Sequence, residues 1–115
     1  MIGQLHSVVL DAPDAHALAR FYADLLGTEV AYDGPEGALV TADGKNVMFQ
    51  RIDGYNPPRW PDPAYPQQAH LDLQVHDLDA GEARALELGA SRLDHEGERF
   101  RVFADPAGHP FCLIL

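Results

Sequence analysis

The sequence has one cysteine, few positive charges and no long apolar run. The single cysteine, Cys112, excludes an internal disulfide and fits a reducing compartment. The longest apolar stretches are only a few residues long, so no segment is expected to span a bilayer. Residues 1–6 lack the basic patch followed by an apolar block that marks a secretory signal. These absences predict a cytoplasmic protein with no membrane partner.

Positive charge is scarce: eight Lys and Arg stand against 18 Asp and Glu, which gives a net charge of −10. A chain of this charge repels a phosphate backbone unless its cations are clustered, and here they are isolated or lie beside glutamates. Nucleic acid is therefore not an expected partner. The 115 residues, 46% of them hydrophobic and 23% charged, predict one globular domain over residues 1–115.

The first half of the chain is predicted to fold in the order β-α-β-β-β. A short β-branched run over 7–10 ends at the turn signal that begins with Asp11. A helix follows from the N-cap Asp14 to Gly27, because Leu18, Tyr22 and Leu25 recur at helical spacing. Three further strands are predicted over 29–32, 38–41 and 46–51, separated by glycine-containing turns.

The second half repeats this order. Residues 71–75 alternate apolar and polar side chains, which indicates a strand with one polar face. Asp79 and Glu82 have the spacing of a capping box, and the helix that they open is predicted to end at Gly89. Strands are predicted over 91–94, 99–104 and 111–115. A histidine opens each half, which favours an internal repeat with modules at 5–51 and 69–115.

The segment 52–68 joins the two predicted modules and contains five prolines. It is too rich in proline for a strand and is long for a connection inside a compact domain. Its aromatic residues have two interpretations. Trp60 and its neighbours either fasten a stiff linker to the sheet or form one wall of a ligand pocket.

Polar side chains are predicted to share the strand faces that point away from the helices. Strand alternation gives four groups, which are His70 with Asp72 and Gln74, Cys112 with Ile114, Gln50 with Met48, and His6 with Val8. If the modules are symmetric copies, His6, Gln50, His70 and Cys112 converge, and two imidazoles with two further donors are typical of a transition-metal site. If the register slips by one residue, Phe49 replaces Gln50 and the set shrinks to two histidines and a thiol.

The whole chain resembles the vicinal oxygen chelate superfamily, which includes glyoxalase I, bleomycin-resistance proteins, fosfomycin-resistance enzymes and extradiol dioxygenases. The resemblance rests on His6-Ser-Val-Val-Leu-Asp11, Phe21-Tyr-Ala-Asp-Leu-Leu-Gly27, His70-Leu-Asp-Leu-Gln-Val75 and Asp105-Pro-Ala-Gly-His-Pro-Phe-Cys112. The last segment is the most specific, since it is similar to the family's Asp-Pro-x-Gly ending. The resemblance implies an α+β fold in which two βαβββ modules form an eight-stranded, U-shaped half-barrel around an open cleft.

The resemblance also implies a metal-ligand set. Members that use a metal hold it with a histidine on the first strand, a Glu or Gln before the linker, a histidine opening the second module and a Glu on the last strand. His6, Gln50 and His70 match the first three positions, whereas Cys112 stands in place of the glutamate. A thiolate suits one zinc or nickel ion, and a metal-free protein with an inert buried thiol is the alternative. Asp72 would join the set only by bending toward it, since it lies two residues from His70.

Three functions follow from these residues. The first is a metal-dependent lyase or isomerase of the glyoxalase I type, favoured over an extradiol dioxygenase, with Gln50 and Cys112 as catalytic candidates. The second is a non-catalytic drug- or metabolite-binding protein, and the third is a dimeric scaffold with structural histidines. The predicted small-molecule contacts are Val8, Met48, Trp60, Asp72, Gln74 and Ile114. A homodimer is expected because two-fold pairs dominate soluble oligomers.

Overall fold

The computed structural model describes residues 2–115 and has an α+β architecture in which the βαβββ order occurs twice. Its elements are β1 (Val8–Ala12), α1 (Ala15–Leu26), β2 (Val30–Asp33), β3 (Gly37–Ala42), β4 (Lys45–Arg51), β5 (Leu71–Gln74), α2 (Leu78–Leu88), β6 (Ser91–Gly97), β7 (Phe100–Ala104) and β8 (Pro110–Ile114). The predicted fold class and element order are confirmed. Neither of these helices is long and apolar enough to cross a membrane.

The chain divides into two compact units, Met1–Tyr55 and Asn56–Leu115. Each unit carries one four-stranded sheet and one helix. The boundary falls inside the segment 52–68 that the sequence marks as a linker, and most of that segment belongs to the second unit. The proline-rich stretch is therefore part of a folded unit.

In the first unit the strand order is β1-β4-β3-β2, with β1 parallel to β4 and the other neighbours antiparallel. Helix α1 begins after Asp14, whose side chain accepts a hydrogen bond from the Ala17 amide, and it ends at the left-handed Gly27, as predicted. Phe49 is fully buried and stacks on Tyr22 of α1 with ring centroids 5.4 Å apart. Gln50 is exposed on the next position of β4, which is the register that the sequence favours.

The second unit repeats this topology with the order β5-β8-β7-β6. Strand β5 is parallel to β8, and their register places Asp72 beside Cys112 and Gln74 beside Ile114. Phe103, Phe111 and Leu113 are fully buried, and the first two stack with ring centroids 5.5 Å apart. A compact aromatic core therefore fixes β7 against β8.

The start of α2 differs from the prediction. Asp77 is the N-cap residue, because its carboxylate accepts hydrogen bonds from the amides of Asp79 and Ala80, so the predicted capping box of Asp79 and Glu82 is wrong. Glu82 instead pairs with two arginines of the sheet, at 2.9 Å from Arg92 Nε and 2.5 Å from Arg101 Nη1. These ion pairs join α2 to β6 and β7, where a purely apolar contact would be expected.

Two predicted strand ends are also wrong. Strand β1 continues through Asp11 and Ala12, because both residues pair with β4. Strand β6 continues to Gly97, which pairs with Phe100, and its register with β7 shifts between Arg92 and Glu96. In both cases pairing with a neighbouring strand outweighs the local turn signal.

The segment after Asn56 is held by its own backbone and by the second sheet. The Arg59 amide donates to the Tyr65 carbonyl at 2.7 Å, and the Arg59 guanidinium lies 4.6 Å from the centre of the Tyr65 ring. A Cβ added to Gly108 would lie 3.0 Å from Pro57 Cβ, so this segment passes close to the turn before β8. The ring of Trp60 also contacts His95 of β6, so the proline-rich stretch is fixed against the sheet of the second unit.

The capping of α2 gives a stability prediction. We expect Asp77→Ala to lower the free energy of unfolding by about 1 kcal/mol, because two helix amides lose their acceptor. Asp79→Ala is the matched control, and since the Asp79 side chain is 88% exposed its loss should cost only a few tenths of a kcal/mol. Urea unfolding of both variants makes the comparison, and equal losses would contradict this assignment of the cap.

Candidate functional site

The second sheet separates its side chains into two faces. Arg101, Phe103 and Leu113 point toward α2, as the ion pair of Arg101 with Glu82 and the packing of Leu113 near Gly81 show. Because strand side chains alternate, Val102 and Cys112 point to the opposite face, where they are partners in the β7–β8 register. The candidate metal ligands of this unit lie on that second face.

The turn before β8 fixes the position of Cys112. The buried carboxylate of Asp105 accepts hydrogen bonds from the amides of Ala107 and His109, and it also bonds to the His109 imidazole at 2.8 Å. Gly108 has a φ of +95°, a conformation that side chains rarely adopt. The Asp-Pro-Ala-Gly-His sequence thus forms a turn with a buried anchor, from which β8 begins at Pro110.

Three potential metal ligands come together on this face. His70 precedes β5, Asp72 lies within it, and Cys112 lies beside Asp72 on β8. His70 Nε2 is 3.2 Å from Asp72 Oδ1, and one ligand atom from each of the three residues lies within 4.8 Å of the others. The His70 and Asp72 side chains are 41% and 51% exposed, so an ion could reach them from solvent.

The Cys112 thiol is protonated at neutral pH. Partial burial, the charge of Asp72 and a hydrogen bond to that carboxylate, in decreasing order of effect, together raise its pKa from 9.0 to about 11. The thiol therefore donates to Asp72. A protonated thiol is a poor base and a poor nucleophile, so Cys112 becomes reactive only when something removes its proton.

A cavity of about 200 Å³ opens beside this cluster within the second unit. Its lining residues are Trp60, Gln67, His70, His95, Phe100, Val102, Pro110 and Cys112. The rings of Trp60 and His95 meet edge to face at 5.1 Å, and His95 lies 6.1 Å from the Phe100 ring. The cavity wall thus combines aromatic and apolar side chains with the imidazole and the thiol of the cluster.

Only some of the predicted small-molecule contacts in the second unit lie at the cavity or the ligand cluster. Trp60 lines the cavity, and Asp72 lies in the ligand cluster at its wall. Gln74 and Ile114 share the face of Asp72 and Cys112 but lie two register pairs farther along the strands, and neither is among the residues that line the cavity.

The predicted site residues of the first unit lie at the β1–β4 pair. His6 is exposed and precedes β1, with its imidazole 3.1 Å from the Ser7 hydroxyl and its carbonyl accepting from Asn46. Val8 lies on β1, and Met48 and Gln50 lie on β4. The roles of His6, Val8, Met48 and Gln50 as metal or small-molecule contacts stay predictions.

Several lining residues were not predicted from the sequence: Gln67, His95, Phe100, Val102 and Pro110. Strand alternation could have predicted Val102 and Pro110, since they alternate with the core residues Phe103 and Phe111 and so point to the opposite face. His95 lies just beyond the strand predicted over 91–94, and only the extension of β6 to Gly97 brings it to the sheet.

A comparison with models of protein families identifies the family of this chain. The model of the glyoxalase-like domain matches residues 7–114, which is nearly the whole chain. This chain belongs to the glyoxalase-like domain family. A search of the curated proteins found no match.

Solved structures of the same fold agree with this membership and with the predicted vicinal oxygen chelate superfamily. The fosfomycin resistance protein FosX of Listeria monocytogenes is 18% identical, with a TM-score of 0.74 and coverage of 99% of this chain and 91% of FosX. A mutant of that protein, 19% identical with a TM-score of 0.75 and 99% and 90% coverage, was crystallised with Mn(II) and 1S,2S-dihydroxypropylphosphonic acid. A glyoxalase/bleomycin resistance/dioxygenase family enzyme of Burkholderia phytofirmans PsJN is 15% identical, with a TM-score of 0.74 and coverage of 98% and 100%.

The raised pKa of Cys112 gives a prediction for its reactivity. With a pKa of about 11 rather than 9.0, we expect the thiol to react with iodoacetamide at pH 8 about 100-fold more slowly than a free cysteine, because the thiolate is that much rarer. Asp72→Asn removes a carboxylate that favours the protonated thiol, so it should speed alkylation, whereas Asp94→Asn, on an exposed position of β6, should not. A rate equal to that of free cysteine would contradict the assignment.

The same pKa sets the sign of a stability change with pH. Because the folded-state pKa lies above the unfolded one, the contribution of Cys112 is fully present below pH 9 and is lost as the pH rises toward about 11. Replacing Cys112 with Ala should therefore flatten the fall in the free energy of unfolding over that range.

Proposed function

We propose that this protein binds a small molecule in the cavity of its second unit, next to a transition-metal ion held by His70, Asp72 and Cys112. The observation that carries the proposal is the position of the cluster: two of its three residues also line the cavity. A ligand in the cavity would therefore touch the cluster directly. Membership in the glyoxalase-like family is consistent with such a site.

The donor set decides which metal suits the site. One imidazole, one thiol and one carboxylate fit zinc, nickel or cobalt, whereas manganese and magnesium prefer oxygen ligands. Ligand atoms on a tetrahedral zinc ion are roughly 3.3–3.8 Å apart. The 3.2 Å between His70 and Asp72 is close to this spacing, and the 4.8 Å limit of the whole cluster requires only a small side-chain movement. The FosX mutant was crystallised with Mn(II), and we expect a softer ion here because the thiol of Cys112 stands where the resemblance implies a glutamate.

The chain's own residues favour binding over proton transfer. The protonated Cys112 accepts no proton at neutral pH, and the amide of Gln50, the other catalytic candidate, is not a base. When bound, a metal ion would act as a Lewis acid toward an oxygen atom of the ligand. The aromatic wall of Trp60, His95 and Phe100 would hold the apolar part of the molecule and exclude water.

Metal titration tests the proposed site. We expect the EDTA-treated protein to bind one Co²⁺ or Zn²⁺, with a cobalt–thiolate charge-transfer band from Cys112. His70→Ala, Asp72→Asn and Cys112→Ser should each weaken binding by about 100-fold or more, because each removes a ligand. His76→Ala is the matched control, since His76 is exposed and lies outside the cluster. An affinity that the three ligand variants leave unchanged would refute the site.

The ligands predicted from the first unit are tested in the same titration. His6→Ala and Gln50→Leu should weaken metal binding if the resemblance-derived ligand set holds, and they should leave it unchanged if the second unit supplies the site alone. Affinity should also rise about tenfold per pH unit below the pKa of Cys112, because metal binding must release the thiol proton. A flat pH profile would show that the thiol is not a ligand.

Trp60 provides a test of ligand binding in the cavity. It is the only tryptophan, so its fluorescence reports on this place alone, and we expect it to change when a small molecule occupies the cavity. Trp60→Ala should weaken binding at least tenfold. If Trp60 mainly fastened the proline-rich segment, the variant would instead lose about 3 kcal/mol of stability with binding unchanged. The predicted homodimer and cytoplasmic location also stay predictions.

A further inference from the structure

The size of the cavity limits what it can hold. Its volume is about 200 Å³, and an apolar protein cavity of about 150 Å³ is enough to bind benzene. The space therefore fits one six-membered ring with a small substituent. A second ring or a long chain would have to extend into solvent.

The walls favour a flat ring over an aliphatic molecule of the same size. Trp60, His95 and Phe100 form a continuous series of aromatic contacts along the cavity, with centroid separations of 5.1 and 6.1 Å. Aromatic side chains gain more from another ring than from burial of its area alone, because edge and face carry opposite partial charge. Val102 and Pro110 complete the apolar surface.

Gln67 adds a polar requirement. Its Oε1 is the one buried side-chain polar atom without a hydrogen-bond partner in the described part of the chain, residues 2–115. Buried polar atoms are nearly always paired, so a lone acceptor in a cavity wall calls for an explanation. The terminal torsion of glutamine turns easily, and a rotation about it is the movement by which Oε1 would meet a donor in the cavity.

The polar groups of the ligand cluster, unlike Gln67, already have partners. His70 and the Cys112 thiol both interact with Asp72, so neither needs a hydrogen bond from a ligand. The carboxylate of Asp72 and the net charge of −10 also disfavour an anionic ligand. A ligand of this cavity therefore needs a hydrogen-bond donor because of Gln67, and a neutral or positive charge because of Asp72.

We propose that the cavity takes a single-ring aromatic molecule without negative charge, whose O–H or N–H donates to Gln67. This inference rests on the proposed function, since it names the class of molecule that the same cavity binds. It assigns to Gln67 a role in specificity that is separate from metal binding, because Gln67 lies outside the cluster of His70, Asp72 and Cys112.

The test compares phenol with toluene, which has the same size and shape but no hydrogen-bond donor. Binding of each to the full-length, EDTA-treated protein is measured by NMR titration, so that phenol cannot bind through a metal. We expect Gln67→Met, which keeps the chain length and removes the acceptor, to reduce the affinity for phenol relative to toluene by about threefold to tenfold. Gln68→Met is the matched control, because Gln68 is exposed and adjacent in sequence, and it should leave the ratio unchanged.

The folded stability of the variant supplies a second measurement. Gln67→Met should melt at the same temperature as the parent protein or higher, because it removes a buried oxygen that has no partner. A large fall in melting temperature would show that Gln67 has a structural partner and would overturn the inference. Gln67→Leu serves as a second variant for the binding measurement.

The remaining outcomes separate this inference from the proposed function. If phenol and toluene bind and Gln67→Met leaves their ratio unchanged, the role of Gln67 is refuted while the cavity remains a binding site. If neither ring binds but cyclohexanol or another aliphatic fragment shifts the Trp60 indole signal, the ligand class is wrong and the proposed function stands. If no small molecule shifts that signal, both proposals fail. Tighter binding of benzoate than of phenol would also refute the inference.

Discussion

The parallel pairing of β5 with β8 is the constraint on which the site depends. It places Asp72 beside Cys112, and it directs both side chains away from the core that Phe111 and Leu113 form against α2. The Asp105 turn fixes where β8 begins, because its buried carboxylate accepts hydrogen bonds from two amides of the turn. A slip of one residue would bury the thiol in the core and turn Phe111 toward the cavity.

The electrostatics of the site follow from this pairing. Asp72 stabilises the proton on Cys112 and lies within reach of His70, so one carboxylate links the thiol to the imidazole. The same arrangement keeps the thiol unreactive without a metal and offers three different donor atoms to an ion that can displace its proton. The loss of the glutamate that the resemblance implies at position 112 thus changes the expected metal as well as the acid–base chemistry.

Much of the fold could be predicted from the sequence because local signals agreed with the tertiary structure. As expected, α1 begins after Asp14 and ends at Gly27, and α2 ends at Gly89. Alternation also assigned the faces of β5 and β8 correctly. The failures occurred where a long-range partner outweighed a local signal. Glu82 was expected to cap α2, but Arg92 and Arg101 offer it two charged donors, while Asp77 satisfies the helix amides.

The sequence by itself determined the repeated βαβββ order, the family and the candidate ligands His70 and Cys112, because these depend on periodicity, turn residues and short motifs. Only the tertiary structure brought Asp72 to within 3.2 Å of His70, since alternation gives the shared face of a strand but not the rotamers that set the distance between two side chains. Only the tertiary structure, too, placed Gln67, His95 and Trp60 around one cavity. These residues lie on a proline-rich segment and on an irregular strand, whose paths are decided by packing against the second sheet rather than by local preference.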